Sequence, residues 1–239
     1  MKLIRACRCA SAVRGMPEVF ITLETVQRAL ALPGFDGRAA QARMSPIPRP
    51  VRRPEMAGAP KQAGVLIVLY PGPDGDLHFV LMRRTEYPGV HSGQISLPGG
   101  RCEPGETYQQ TALRETEEEF GFSCDGVEVL GALHPLYVMP SDFEIHPYVG
   151  FVPQRPHWHP DHSEVAEVIE VPLRRLLDDS IKGFTTIERA GMVFEIGYYQ
   201  IGAHRVWGAT AGILSELETR LRAALALPEG HSPARLTDD

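Results

Sequence analysis

Three glutamates near the middle of the chain constrain it more than any other feature. Glu115, Glu118 and Glu119 are spaced i, i+3 and i+4. Thr107 upstream is a good N-cap residue, and Gly121 downstream is well suited to end a helix. The pattern therefore predicts a helix that carries all three carboxylates on one face.

Two interpretations of this acidic face are open. Like charges at helical spacing repel each other, and a charged helix face is usually only a solvated surface. The neighbouring residues favour a second interpretation, because a Pro-Gly-Gly turn at 98–100 lies upstream and Arg114 directly precedes the first glutamate. Oxygen ligands that converge on one point suit a hard divalent cation such as Mg²⁺ or Mn²⁺. The face is therefore a candidate metal site.

The same segment resembles the signature of the Nudix hydrolases. That signature runs Gly, five residues, Glu, seven residues, Arg-Glu, an apolar residue, any residue, Glu-Glu, any residue, Gly and an apolar residue. Thr116 stands where an aliphatic residue is usual. The matching positions, spread over 23 residues, are Gly100, Glu106, Arg114, Glu115, Glu118, Glu119, Gly121 and Phe122. The resemblance implies an α/β/α sandwich with a mixed β-sheet, and hydrolysis of a diphosphate in a nucleoside derivative.

The resemblance also implies a role for individual residues. Glu115, Glu118 and Glu119 match the metal ligands of the family, and the Gly99 carbonyl is the usual additional ligand. Arg114 is expected to fix the orientation of a glutamate by a bidentate contact. Arg114, Glu118 and Glu119 are therefore expected to be catalytic residues.

A further carboxylate outside the signature often acts as base or metal ligand in this family. Glu164, directly before a predicted strand, is the candidate for this catalytic role, and Glu167 and Glu144 are alternatives. Glu106 is expected to support the loop or to pair with Arg114.

The residues upstream of the signature resemble the motif of Nudix coenzyme A pyrophosphatases. Arg84, Gly93 and Gly100 match it in register and are the expected substrate-binding residues, while Gly89 stands where the family has arginine. The resemblance implies cleavage of coenzyme A or acyl-CoA into 3′,5′-ADP and 4′-phosphopantetheine or its acyl derivative. A Nudix hydrolase of ADP-ribose or another nucleoside diphosphate derivative is the alternative. A non-catalytic nucleotide-binding domain is a third hypothesis.

Composition and charge narrow the class of protein. The chain has 239 residues, 43% of them hydrophobic, and a net charge of −6, which argues against general nucleic-acid binding. No apolar run reaches the roughly 18 residues of a membrane span. The four cysteines show no disulfide or zinc pattern, so we expect free thiols and a cytoplasmic enzyme. The expected partner is a small nucleotide diphosphate substrate, and a homodimer is left open.

The chain divides into three predicted parts. Residues 1–61 are expected to form an N-terminal extension with one short helix at 22–32 and a Pro/Arg-rich connector at 39–61. Residues 62–227 are expected to form the Nudix domain, and residues 228–239 a tail.

The pattern of elements predicts the fold class. Apolar runs at 63–70 and 77–82 are typical of buried strands joined by a turn, and residues 145–152 predict another strand. Residues 210–225 carry apolar side chains at helical spacing and predict a helix that covers the core. Strands of mixed direction with one central and one C-terminal helix indicate an α/β protein, an α/β/α sandwich with a mixed sheet.

Overall fold

A mixed sheet of eight strands lies at the centre of the structure, a computed structural model that describes residues 19–48, 58–88, 91–189 and 191–230. Its strands are β1 (Lys61–Pro71), β2 (Leu77–Arg84), β3 (Ile95–Ser96), β4 (Gly99–Arg101), β5 (Glu128–Ala132), β6 (Leu136–Val138), β7 (Phe143–Phe151) and β8 (Val165–Pro172). Strands β1 and β7 pair in parallel, and the remaining pairs are antiparallel.

A smaller antiparallel sheet and four helices complete the described part of the chain. The small sheet has the order β11-β10-β9. Its strands are β9 (Lys182–Arg189), β10 (Met192–Ile201) and β11 (His204–Trp207). The helices are α1 (Leu23–Leu30), α2 (Gly37–Ala42), α3 (Tyr108–Phe120) and α4 (Gly208–Ala224). None of these helices is both long and apolar enough to cross a membrane.

Helices cover both faces of the large sheet because successive side chains of a strand point to opposite sides. On one side, Leu66 and Val68 of β1 pack in a cluster with Phe120 of α3. On the other side, Ile67 packs in a larger cluster with Leu217 of α4. All five side chains are fully buried. The predicted α/β/α sandwich with a mixed sheet is confirmed.

The predicted central helix begins and ends where its sequence indicates. Thr107 Oγ1 accepts a hydrogen bond from the Gln110 backbone N–H (3.2 Å), and the Gln110 side chain accepts one from the Thr107 N–H (2.8 Å). This reciprocal pair is a capping box. Gly121 ends the helix in the left-handed conformation with φ of 64°, which glycine adopts without steric cost.

The N-terminal region contains two helices where one was predicted. Helix α1 lies within the expected range, but α2 occupies part of the predicted connector at 39–61, so that prediction is wrong for residues 39–42. Asp36 caps α2, and Gln41 donates a hydrogen bond to Glu216 of α4 (2.9 Å). These contacts stabilise a helix in a segment whose composition favours an extended connector. Connector residues 49–57, Gly89 and Val90, Ala190, and the terminal residues 1–18 and 231–239 lie outside the described residues.

The described N-terminal residues share the main hydrophobic core. Val26 and Ala29 of α1 are fully buried in the larger cluster, and Met44 is 3% exposed there. The domain boundary at residue 62 stays a prediction, but helices α1 and α2 pack against the elements that follow it.

The Pro-Gly-Gly segment was expected to be a turn, and the structure corrects this. Gly99 and Gly100 pair with Val65 and Gly64 of β1 as part of strand β4. Gly99 has φ of 144°, a backbone conformation that favours glycine. Glycine at position 99 therefore allows this backbone conformation within a paired strand.

Gly64 allows α3 to lie directly against β1. A Cβ at this position would lie 2.8 Å from the Ala112 nitrogen and would also overlap the Tyr108 carbonyl oxygen. Gly64→Ala is therefore expected to lower the free energy of unfolding by about 1–3 kcal/mol, as measured by urea denaturation. Gly126→Ala is the matched control, since a Cβ there meets no atom within 4 Å. Equal losses in the two variants would contradict this packing argument.

Candidate functional site

The three glutamates of α3 differ in their exposure to solvent. The Glu119 side chain is 3% exposed, that of Glu115 is 19% exposed and that of Glu118 is 60% exposed. One helix thus presents a buried, a half-buried and an exposed carboxylate in the same region.

Arg114 connects the loop before α3 to two of its glutamates. Its Nε donates to Glu106 Oε1 (2.6 Å) and its Nη2 to Glu106 Oε2 (3.1 Å). Its Nη1 lies 2.9 Å from Glu115 Oε1 and 2.9 Å from Glu118 Oε2. The expected pairing of Glu106 with Arg114 is confirmed, and the bidentate contact is made with Glu106. This arginine, together with a backbone N–H and Thr111, lowers the pKa of Glu106 to about 2.

Glu119 is buried with two partners for its carboxylate. The Gly99 N–H donates to Oε2 (2.8 Å), and Arg84 Nη1 donates to Oε1 (3.3 Å). Burial nevertheless raises the pKa of Glu119 to about 8, and the nearby charges of Glu115 and Glu164 raise it further. Burial also raises the pKa of Glu115 above its ordinary value. The positive charges of Arg84 and Arg114 therefore do not fully offset the cost of burying the Glu119 and Glu115 carboxylates.

Arg84 joins Glu119 to the start of β8. Its Nη2 lies 3.7 Å from Glu164 Oε2, and its Nε is buried without a hydrogen-bond partner. The alternatives to Glu164 have other contacts, because Glu167 pairs with Arg83 and Glu144 lies 3.8 Å from His146. The structure thus places Glu164 beside the α3 carboxylates.

The predicted glycines differ in what they contribute. A Cβ on Gly100 would overlap the Glu115 carboxylate, so glycine at this position leaves room for that carboxylate. A Cβ on Gly99 would overlap the Gly64 carbonyl oxygen. Gly93 lies in a turn with φ of 65° and donates its N–H to the Thr85 carbonyl (3.2 Å), so its visible role is to shape the loop after β2.

A cavity of about 380 Å³ lies beside these carboxylates. Arg84, Gly99 and Gly100 border it, and most of its remaining wall is apolar. The apolar side chains of the wall include Val65, Leu97, Leu136, Val138, Met139, Phe143, Ile145, Ile187, Phe194, Trp207 and Ile213. No sequence motif marks this cavity, because its walls come from segments far apart in the chain.

The donor chemistry of the site fits a hard divalent cation. Glu115 and Glu119 offer carboxylate oxygens whose pKa is raised by burial, and a cation stabilises such groups. Across the described ranges, however, no three His, Cys, Asp or Glu side chains converge closely enough to form a ligand set. Arg114 and Arg84 make the ion pairs that hold the carboxylates in this arrangement.

Comparison with known protein families agrees with this geometry. The NUDIX domain profile matches residues 60–186, a little over half of the chain. The chain belongs to the Nudix hydrolase family. It is accordingly a hydrolase of the diphosphatase class, and members of this family bind nucleotide diphosphates and generally use divalent metal ions.

Named relatives show how far the similarity extends. Nudix hydrolase 15, mitochondrial, of Arabidopsis thaliana is 36% identical over 162 residues, covering 65% of this chain and 56% of that protein. The uncharacterized Nudix hydrolase NudL of Yersinia enterocolitica is 36% identical over 156 residues, covering 65% of this chain and 78% of its own length. The human mitochondrial coenzyme A diphosphatase NUDT8 is 34% identical over 167 residues, covering 69% and 70%. This chain thus spans little more than half of the Arabidopsis protein.

The raised pKa of Glu119 predicts that chelator-treated protein loses stability as the pH rises. The folded protein keeps the Glu119 proton up to about pH 8, whereas the unfolded chain releases it near the ordinary pKa of 4.5. A pH rise through that window therefore favours unfolding. Glu119→Gln cannot ionise and is expected to flatten the dependence of Tm on pH between about 5 and 8.

Glu128→Gln provides the control for this titration. Glu128 is exposed on β5, so its variant should keep the pH dependence of the wild-type protein. Superimposable profiles for wild type and Glu119→Gln would contradict the burial effect.

Proposed function

We propose that this Nudix hydrolase cleaves the diphosphate of coenzyme A or acyl-CoA. The observation that carries the proposal is the apolar cavity that borders Arg84, Gly99 and Gly100. Its volume falls within the range of about 300–1,000 Å³ that is usual for ligand pockets. An apolar wall next to a diphosphate site suits the pantetheine arm better than the second ribose of a dinucleotide. The name of the human relative, a coenzyme A diphosphatase, supports the same substrate class.

Glu115, Glu118 and Glu119, with the Gly99 carbonyl, would hold Mg²⁺ or Mn²⁺. Such an ion supplies positive charge that neutralises phosphate oxygens and lowers the pKa of water. Arg114 has a positioning role in this proposal, because it contacts both Glu115 and Glu118 from its anchor on Glu106.

Arg84 supplies a donor for the substrate. Its side chain is 24% exposed, and its Nη2 lies 3.7 Å from Glu164 Oε2, beyond hydrogen-bond distance. A phosphate oxygen could accept a hydrogen bond from this terminal nitrogen, and charge-assisted hydrogen bonds from arginine to phosphate are among the stronger ones. Arg84 therefore binds the diphosphate at the mouth of the cavity in our proposal.

Glu164 is the proposed acceptor for the proton of the attacking water, because Glu119 is assigned to the cation. Glu164 is half exposed and lies beside Arg84, where solvent can accept the proton from it. Water would attack one phosphorus, the bridging P–O bond would break, and the two phosphate monoesters would leave.

The proposed enzyme is cytoplasmic. This is supported by Cys102 and Cys124, which are free thiols, as expected in a reducing compartment. Cys7 and Cys9 lie outside the described residues.

Product analysis by mass spectrometry tests the proposal. Coenzyme A, ADP-ribose and NADH are offered separately with Mg²⁺ and with Mn²⁺, and conversion of coenzyme A to 3′,5′-ADP is expected to be the fastest reaction. Glu115→Gln removes a charge from the cation site, so turnover is expected to fall at least ~100-fold.

Glu128→Gln, exposed on β5, should leave turnover unchanged. A preference for ADP-ribose or NADH would show that the substrate assignment is wrong. Absence of turnover with all three compounds would point to a different substrate or to a binding role.

A further inference from the structure

One wall of the cavity is built by residues outside the Nudix domain match. That match ends at residue 186, whereas Ile187, Phe194 and Trp207 line the cavity. Ser45 and Pro46, from before the match, line it as well. Segments that lie before and after the matched Nudix domain therefore meet at this cavity, next to the proposed diphosphate site.

Hydrogen bonds fix this wall in position. The Ile47 N–H donates to the Glu195 carbonyl (2.8 Å), and the Glu195 N–H donates to the Ile47 carbonyl (2.9 Å). This pair joins the N-terminal segment to β10 beside Phe194. Thr210 Oγ1 donates to the Ile95 carbonyl (3.3 Å) and joins the start of α4 to β3. The wall is therefore part of the folded structure and is positioned before a substrate arrives.

Phe194 and Ile187 form the apolar centre of the wall. They are directly opposite each other on β10 and β9, and cross-strand pairs at this spacing are in contact range. Phe194 is 7% exposed but belongs to neither of the two core clusters. Its ring is buried against the cavity instead of the main core, so its size limits the space available to a ligand.

The residues that line the cavity differ in chemistry. Arg84 and Gly99 donate hydrogen bonds to the buried Glu119 carboxylate, whereas Phe194 and Ile187 offer no charged side chain. A polar or charged group placed against that wall would lose its hydration without a partner. A thioester-linked acyl chain carries no such group.

We propose that the Phe194–Ile187 wall binds the acyl chain of acyl-CoA and sets the chain length that the enzyme prefers. This inference rests on the proposed function, because it takes the diphosphate to lie at Arg84 and Gly99. The pantetheine arm then runs along the cavity and places the acyl group against the wall. Each methylene that becomes buried there raises kcat/KM by up to about fourfold, until the cavity is filled.

The test measures kcat/KM for free coenzyme A and for acetyl-, butyryl-, hexanoyl-, octanoyl- and lauroyl-CoA. Wild type is expected to show an optimum within the series. Phe194→Ala enlarges the cavity and is expected to move the optimum to longer chains by about two to four carbons. Ile187→Ala, at a half-buried position, should move the optimum in the same direction. It replaces Phe194→Ala in the test if that variant does not fold.

Phe184→Ala is the matched control. Phe184 is also a phenylalanine of this hairpin, but it faces Gly197 and not the cavity. Its variant should keep the wild-type optimum. The proposal would be overturned by an unchanged optimum in both Phe194→Ala and Ile187→Ala, provided that a cooperative thermal unfolding transition shows each variant to be folded.

Binding of S-octanoyl pantetheine, measured by calorimetry, separates this inference from the proposed reaction. The compound has no diphosphate, so its binding does not depend on catalysis. It is expected to bind more tightly than S-acetyl pantetheine, and the ratio should change in Phe194→Ala. If wild type fails to hydrolyse coenzyme A, the proposed function is wrong. The ratio of the two affinities then still tests whether the wall binds an acyl chain. Equal affinities for the two compounds would overturn the assignment of the wall.

Discussion

The burial of one carboxylate organises the site. Glu119 is removed from water on α3, so its charge depends on what the sheet brings to it. Strand β4 provides the Gly99 N–H, and β2 provides Arg84. The same Arg84 reaches Glu164 at the start of β8. Four elements that are separate in sequence therefore meet around the Glu119 carboxyl group and its partner Arg84.

A second set of buried charges holds the region around the cavity. Glu216 of α4 pairs with Arg220 and accepts a hydrogen bond from Gln41 of α2, whereas Glu218 accepts from Tyr199 of β10. Breaking such a buried pair by removing one partner is strongly destabilising. Helix α4 thereby holds the N-terminal segment on one side and the small sheet on the other. The α3 carboxylates and the cavity wall on the small sheet are thus supported by different networks.

Local signals predicted the elements well where short-range physics determines them. The capping box at Thr107 and the left-handed Gly121 fix both ends of α3 without help from the rest of the protein. The apolar run at 63–70 predicted β1 because a strand buried on both faces needs a continuous apolar sequence. Helix α2 was missed because its stability comes from Gln41 contacting Glu216, which lies far away in the chain.

The sequence by itself identified the family, through the resemblance of residues 100–122 to the Nudix signature. It also determined the sandwich of helices on a mixed sheet and which carboxylates lie together on α3, since these follow from periodicity and spacing. Only the tertiary structure decided that Glu119 is buried, that Arg84 bridges it to Glu164, and that Gly100 makes room for the Glu115 carboxylate. It also decided the shape of the cavity, whose walls come from separate segments between Ser45 and Ile213. Burial and distance between remote residues depend on how the layers pack, and no local pattern records that packing.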